Sequence, residues 1–247
     1  MINVAVLGAS GRMGSHVVRA VEAAEGLELV AALDTDDDIA EVAHAKAEIA
    51  VDFTVPDAAE ANVHALIDAG VHAVVGTTGW TSDALARVEE HLKERPDLGV
   101  LIAPNFAIGA VLAMRFAAVA APYFESAEVV ELHHPDKVDA PSGTAIHTAR
   151  GIAAARAEAG IAPSPDATTH DPQGARGADI DGVHVHAVRL RGMVAHEEVL
   201  FGNAGEAFTI RTDSFDRSSF MPGVLLGIRE VTAHPGLTVG LDRYMGL

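Results

Sequence analysis

The chain has 247 residues, 49% of them apolar, and its 35 acidic side chains outnumber 17 basic ones, for a net charge of −18. That surplus of anions argues against a nucleic-acid partner, whose binding rests on basic patches. No cysteine is present, which removes disulfides, thiolate catalysis and cysteine-based zinc sites together, while this length and a mean hydropathy of +0.22 suffice for one or two buried cores.

The first predicted element is a buried strand beginning at Ile2, which leaves no room for a signal peptide. It leads into the turn Gly8-Ala9-Ser10-Gly11-Arg12-Met13-Gly14. Val17, Val18, Val21 and Ala24 then recur at helical spacing, which predicts a helix from near Arg12 whose N-terminus suits a pyrophosphate. The next strand, Leu27 to Leu33, ends at Asp34, twenty residues past Gly14, where the ribose-binding acid of a dinucleotide fold belongs. The glycine spacing is GxxGxxG rather than GxGxxG, so the order of strand, turn, helix, strand and acid carries the reading. Asp34 repels a 2′-phosphate and favours NADH; Arg12, in the turn, favours NADPH if it meets that phosphate, and the choice between them stays open.

An acidic turn at Thr35 to Asp38 and a short helix lead to a strand from Ile49 to Phe53 and a helix from Pro56 to Ala69. Strand Ala73 to Val75 ends in Gly76-Thr77-Thr78-Gly79, followed by a helix from about Ser82 to Glu94. Strand Val100 to Ala103 ends in Pro104-Asn105-Phe106. Repeated strand and helix units of this length predict an α/β fold with a Rossmann-type, doubly wound parallel sheet. Ligands of such sheets sit beyond the carboxyl ends of the strands, which makes Phe53, Gly76, Thr77, Thr78, Ala103, Pro104, Asn105 and Phe106 candidates for cofactor contact. The apolar run from Gly99 to Pro122 is long enough to span a bilayer, but Pro104-Asn105 and Arg115 interrupt it. A buried strand, a loop and a packed helix over Ile108 to Ala121 explain it better, so no membrane partner is expected.

From Glu128 the pattern changes. A strand to His134 and a helix from Thr144 to Glu158 precede a stretch rich in Pro, Asp and Gly, Pro163 to Gly182, long enough to cover a substrate. Extended runs Val183 to Arg191, Val194 to Phe201 and Glu206 to Thr212 have no helices between them, which predicts a second, α+β domain with an antiparallel or mixed sheet. A last helix, from near Ser218, is expected to return to the first domain. The organisation is therefore 1–106 with 215–247 for the dinucleotide and 107–214 for substrate binding. His184 and His186 share one strand face without a further ligand at fixed spacing, so no metal is expected. Arg189, Arg191 and Arg211 are surface or subunit contacts unless one of them holds a substrate carboxylate.

The stretch Glu131-Leu132-His133-His134-Pro135-Asp136-Lys137-Val138-Asp139-Ala140-Pro141-Ser142-Gly143-Thr144 concentrates more chemistry than folding asks for. Adjacent histidines on an extended segment point to opposite sides, and Lys137 adds a cation. Ser142 suits a helix N-cap, and the N–H groups beyond it attract a carboxylate. Together they read as a site for an anionic substrate that must be protonated.

This stretch resembles the signature of the 4-hydroxy-tetrahydrodipicolinate reductases, also called dihydrodipicolinate reductases. The likeness extends over essentially the whole chain, and length and Asp34 are most similar to the actinobacterial branch. The resemblance implies a cytoplasmic, homotetrameric oxidoreductase of lysine and diaminopimelate biosynthesis, metal-free and joined through the second domain's sheet. It would reduce a cyclic dicarboxylate with NADH or NADPH. It implies His133 as general acid/base, Lys137 as proton donor, and His134, Gly143 and Thr144, beside Ser142, as substrate contacts. Some relatives carry a basic residue where Ser10 stands here, which weakens the case for strong NADPH preference. Two other readings are an imine or amino-acid dehydrogenase and a non-catalytic NAD(P)-sensing regulator. Neither accounts for His-His-x-x-Lys followed by Ser-Gly-Thr.

Overall fold

The computed structural model describes residues 1–247 and divides into two compact units, residues 1–107 with 217–247, and residues 108–216. The first unit holds strands β1 (Ile2–Leu7), β2 (Leu27–Leu33), β3 (Ile49–Asp52), β4 (His72–Val75) and β5 (Gly99–Ile102). With β11 (Gly236–Val239) they form a six-stranded sheet in the order β11-β5-β4-β3-β1-β2. Every neighbouring pair is parallel. The strands are β-branched and apolar because both faces are covered. Ala5, Leu7, Ala50, Val75 and Ile102 face α3 (Pro56–Ala69) and α4 (Ser82–Leu92), which contribute Val63, Ile67, Val88 and Leu92 to the core. The opposite face takes α1 (Gly14–Ala23) and α7 (Met221–Glu230), whose Val17, Val21, Val224 and Ile228 are fully buried. The short α2 (Glu41–His44) follows the acidic turn.

Three expectations need correction here. Helix α1 starts at Gly14, two residues past the expected start near Arg12, because Gly8 to Met13 form a turn closed by the Gly11 N–H on the Gly8 carbonyl at 3.0 Å. The return to this unit contains a strand, β11, besides the expected helix. That helix is preceded by a 3-10 turn at Arg217–Phe220 and begins only at Met221.

The second unit holds α5 (Ile108–Ala120), β6 (Ser126–His133), α6 (Gly143–Glu158), β7 (Ala178–Ile180), β8 (Val183–Arg189), β9 (Ala195–Asn203) and β10 (Glu206–Ser214). Its five-stranded sheet runs β10-β9-β6-β8-β7 and is mixed, with β6 and β8 parallel and the other pairs antiparallel. Both helices pack on one face, over Ala127, Val129, Val185, Val199 and Phe201. The other face, which carries Leu200 at 38% exposure, has no helix of this unit on it.

The stretch 163–182 is tied down rather than loose. Arg176 pairs with Asp166 at 3.0 Å and with Glu128 of β6, and the Asp171 carboxylate accepts the Ala175 and Arg176 N–H groups at 2.6 and 3.0 Å. His186 reaches the same Glu128 at 2.7 Å. No helix of the chain is long and apolar enough to cross a membrane; the apolar run from Gly99 is β5 and α5.

Candidate functional site

In the first unit the carboxyl ends of β1, β3 and β4 open on a cleft of about 670 Å³ lined by Gly8, Ser10, Gly11, Arg12, Met13, Asp34, Phe53, Gly76, Thr77 and Thr78, among others. Gly8 has φ +75°, a left-handed conformation that a side chain would strain, and at Gly14 a Cβ would lie 1.9 Å from the Gly8 carbonyl oxygen. The turn therefore hugs the start of α1, the arrangement that brings backbone N–H groups to a phosphate. Asp34, just beyond β2, receives the Ser10 N–H on both oxygens at 3.1 Å, while its own N–H donates to Asp37 at 2.7 Å. Asp37 also lines the cleft, so its border carries two carboxylates besides Arg12. These residues fit a dinucleotide: a glycine cradle with no room for side chains, and an acid fixed at the end of β2.

The other predicted strand-end residues lie outside that lining. Ala9 and Ala103 are buried, and Phe106 is buried with its ring 5.8 Å from that of Phe53. Asn105 accepts the Ala107 N–H at 2.9 Å, and Pro104 is exposed. Thr77 is 6% exposed and its hydroxyl donates to Asp52 at 3.0 Å, so that hydroxyl serves the protein and not a ligand.

Asp52, read in the sequence only as strand interior, is fully buried at the end of β3. Its Oδ1 accepts the Thr54 N–H and hydroxyl at 2.8 and 2.7 Å, and its Oδ2 accepts from Asn62 at 2.8 Å. Through Thr54 and Thr77 this one carboxylate joins two loops that line the cleft.

In the second unit the signature stretch leaves the end of β6. His133 closes the strand and is 14% exposed; its Nδ1 lies 2.6 Å from Oε2 of Glu131. His134 stands just past it, where the Lys137 N–H donates to its carbonyl at 3.2 Å. Lys137 Nζ donates to Asp139 Oδ1 at 2.7 Å. The Lys137 ammonium holds the Asp139 carboxyl below its ordinary range, and the Gly143 N–H adds to the effect. Gly143, exposed, and Thr144, half-buried, open α6. Ser142 was expected beside them as a substrate contact. It is 2% exposed instead, and its hydroxyl caps α6 by accepting the Ala145 N–H at 3.2 Å. Its own N–H donates to Glu131 at 3.0 Å, so Ser142 shapes the helix start from inside.

Glu131 was part of the quoted stretch but had no role assigned. It is fully buried, and Arg189 grips it with Nη1 on Oε2 at 2.7 Å and Nη2 on Oε1 at 2.8 Å. Burial pushes its carboxyl up, yet hydrogen bonds from Arg189 and His133 outweigh that and hold it below the ordinary range. Arg189 is thus engaged within the protein, and so is Arg211, on Asp213 at 3.0 Å. Burial drives the His133 imidazole below its ordinary value; Glu131 pushes the other way, and Lys137 and Arg189 add to the lowering.

Opposite Glu131 on β9 stands Glu197, 5% exposed, whose carboxyl burial pushes up to about 7. Its Oε1 lies 2.7 Å from the Thr148 hydroxyl, which is also 3.1 Å from the Thr144 carbonyl. One hydroxyl proton cannot serve both acceptors. A protonated Glu197 donating to Thr148, with Thr148 donating to Thr144, removes this competition, while Oε2 of Glu197 stays buried without a partner. His184 and His186 face Asp166 at 3.9 Å and Glu128 at 2.7 Å.

Residues 2–106 match the family described as dihydrodipicolinate reductase, N-terminus, and residues 109–245 match dihydrodipicolinate reductase, C-terminus. The 4-hydroxy-tetrahydrodipicolinate reductase of Beutenbergia cavernae is 69% identical over 246 residues, covering 100% of this chain and 99% of the relative. That of Streptomyces coelicolor is 60% identical, covering 100% and 98%. Among solved structures, a dipicolinate-bound dihydrodipicolinate reductase from Paenisporosarcina sp. TG-14 is similar with a TM-score of 0.90 at 38% identity, over 98% of this chain and 99% of the other. An amine dehydrogenase from Mycobacterium smegmatis, at 14% identity and TM-score 0.63 over 98% and 95% of the two chains, shares the fold alone.

Proposed function

This chain belongs to the dihydrodipicolinate reductase family, and on that premise we propose that it reduces 4-hydroxy-tetrahydrodipicolinate to tetrahydrodipicolinate in lysine and diaminopimelate biosynthesis, taking hydride from NAD(P)H and one proton while the 4-hydroxyl is lost as water. The observation that carries this reading is the grouping of a half-buried imidazole, a lysine ammonium and a helix start within the segment from His133 to Thr144.

The bound nicotinamide supplies hydride. Gly8, Ser10, Gly11, Arg12 and Met13 would hold the pyrophosphate, and Asp34 the adenine-side ribose. Asp34 and Asp37 both border the cleft, and their negative charge favours NADH over NADPH. Phe53, Gly76, Thr77 and Thr78 form the remaining wall, with the buried Phe106 ring packed behind Phe53.

On the substrate side His133 is the general acid/base. Burial keeps its imidazole neutral at neutral pH in the resting protein, and the arrival of a dianion raises its proton affinity, so the substrate arms its own acid. His134, Gly143 and Thr144 receive the carboxylates, with α6 offering its positive end. Lys137 leaves Asp139 for the substrate and donates a proton as hydride arrives. The open face of the second sheet, with Leu200 exposed upon it, suits assembly into a homotetramer, which sedimentation of the purified protein would test. A cytoplasmic location accords with this substrate and cofactor.

The test is to mix purified protein with enzymatically generated 4-hydroxy-tetrahydrodipicolinate and follow nicotinamide absorbance with NADH and NADPH in parallel. Oxidation that falls roughly 10²-fold or more in His133→Gln, with cofactor binding intact, supports the assignment. Wild-type turnover in that variant removes His133 from the mechanism, and no oxidation at all with tight NADH binding favours another dehydrogenase.

A further inference from the structure

We propose that Glu131 is the positioning residue of the site, a buried carboxylate that fixes the ring orientation and tautomer of His133 and ties both to the start of α6. The proposal rests on the reading of His133 as the acid/base. The geometry is complete within one unit. Glu131 is fully buried and its two oxygens meet four donors: His133 Nδ1 at 2.6 Å, Arg189 Nη1 at 2.7 Å, Arg189 Nη2 at 2.8 Å and the Ser142 N–H at 3.0 Å. A carboxylate accepts and cannot donate, so the nitrogen facing it must carry a hydrogen. Neutral His133 is therefore held with hydrogen on Nδ1 and a lone pair on Nε2. Nε2 is then the atom that takes up a proton and hands it on.

The charge balance gives the arrangement its second property. Arg189 and Glu131 form a neutral, bidentate pair, so Glu131 orients His133 without supplying the unpaired negative charge that would keep it protonated. The neighbouring buried acid does not upset this balance when it is protonated, the state favoured by its burial and by the two acceptors that share the Thr148 hydroxyl. Arg189 Nη2 also donates to the Asp139 carbonyl at 2.7 Å. The same guanidinium therefore steadies the segment that carries Lys137, and the Ser142 N–H brings in the helix start. A single buried ion pair thus sets three parts of the proposed substrate site relative to one another.

The experiment is long-range 15N–1H NMR of the full chain without substrate, with the His133 signals assigned by their loss in His133→Gln. The expected result is an Nδ1–H tautomer for neutral His133. In Glu131→Gln the amide oxygen, in the place of Oε1, keeps Arg189 Nη2 and the Ser142 N–H, while the NH2, in the place of Oε2, gives up Arg189 Nη1 and faces the ring, so the hydrogen moves to Nε2. Turnover in that variant falls at least roughly 10²-fold, while NADH affinity is unchanged. Glu197→Gln, which alters the acid on the adjacent strand, keeps the Nδ1–H tautomer and turnover within about threefold, well short of the loss expected for a catalytic proton transfer. An Nε2–H tautomer in the wild-type protein overturns the proposal even if Glu131→Gln does not fold. Glu131→Gln with an unchanged tautomer and near-normal turnover overturns it as well. Because the tautomer is read without substrate, these outcomes are independent of whether the reductase assay succeeds.

Discussion

The ammonium of Lys137 and the carboxylate of Asp139 lie 2.7 Å apart, so in the resting protein the proposed proton donor already holds an anion. Asp139 also draws on the Gly143 N–H, which means one side chain touches two of the groups assigned to a substrate carboxylate. A dianion entering the site must displace it. Asp139→Asn should therefore tighten binding of dipicolinate, the ligand of the Paenisporosarcina structure, by roughly threefold to tenfold, the scale of a half-exposed ion pair. Calorimetric titration checks this, and equal or weaker binding would show that Asp139 does not compete.

Neutral His133 in the resting protein predicts proton uptake when a dianion binds. Burial lowers its proton affinity, and the ligand's charge raises it again. Titrations of dipicolinate near neutral pH in buffers of different ionisation enthalpy should give apparent enthalpies that differ in the sense of uptake, and the difference should vanish in His133→Gln. A wild-type enthalpy independent of buffer would mean that the ring does not change charge on binding.

Glu197 predicts a pH dependence of stability. Its carboxyl rises from 4.5 in the unfolded chain to about 7 in the folded protein, so the folded state binds the proton more tightly. That contribution is fully present below 4.5 and is lost as pH rises through about 7. Its ceiling is about 3 kcal/mol, from the shift at 1.36 kcal/mol per pH unit. Glu197→Gln keeps an acceptor and donor for Thr148 and never ionises, so its unfolding midpoint should fall less than the wild type's across this window. Parallel curves for the two proteins would mean that Glu197 is ionised throughout.

The cofactor end of the cleft makes a separate prediction. Asp34 is fixed by Ser10 and backed by Asp37, so a 2′-phosphate would meet anions there and only Arg12 as a cation. Asp34→Ala should raise the NADPH to NADH ratio of kcat/KM by about tenfold, the worth of about 1.4 kcal/mol. Arg12→Ala in the same assay should lower NADPH use more than NADH use. A ratio unmoved by either change would place the adenine ribose elsewhere.

What could be read from the sequence divides along the range of the interactions. Runs such as Ile49–Asp52 and the Pro56–Ala69 helix were visible because local apolar patterning specifies them. β11 was not, since four residues between Gly236 and Val239 form a strand only by pairing with β5, more than 130 positions earlier. The histidines, Lys137 and the helix start were legible because they lie in one short stretch. Glu131 sat inside that stretch with its role hidden, as its meaning depends on Arg189, 58 residues away. Asp52 and Glu197 were invisible for the same reason: an acid in a strand reads as exposed until its donors are known.

The late arrival of β11 has a consequence for synthesis. Five of the six strands of the first sheet are made before residue 103, but the edge of β5 has no partner until residues 236–239 leave the ribosome. At the usual pace of translation that interval is on the order of ten seconds. Throughout it the nascent chain carries a bare parallel edge and lacks α7 on one face, while residues 108–216 already have all the strands of their own sheet. The second unit can therefore mature first although it is made later, and a nascent chain stalled short of residue 236 would carry an open edge ready to pair with its neighbours on a polysome.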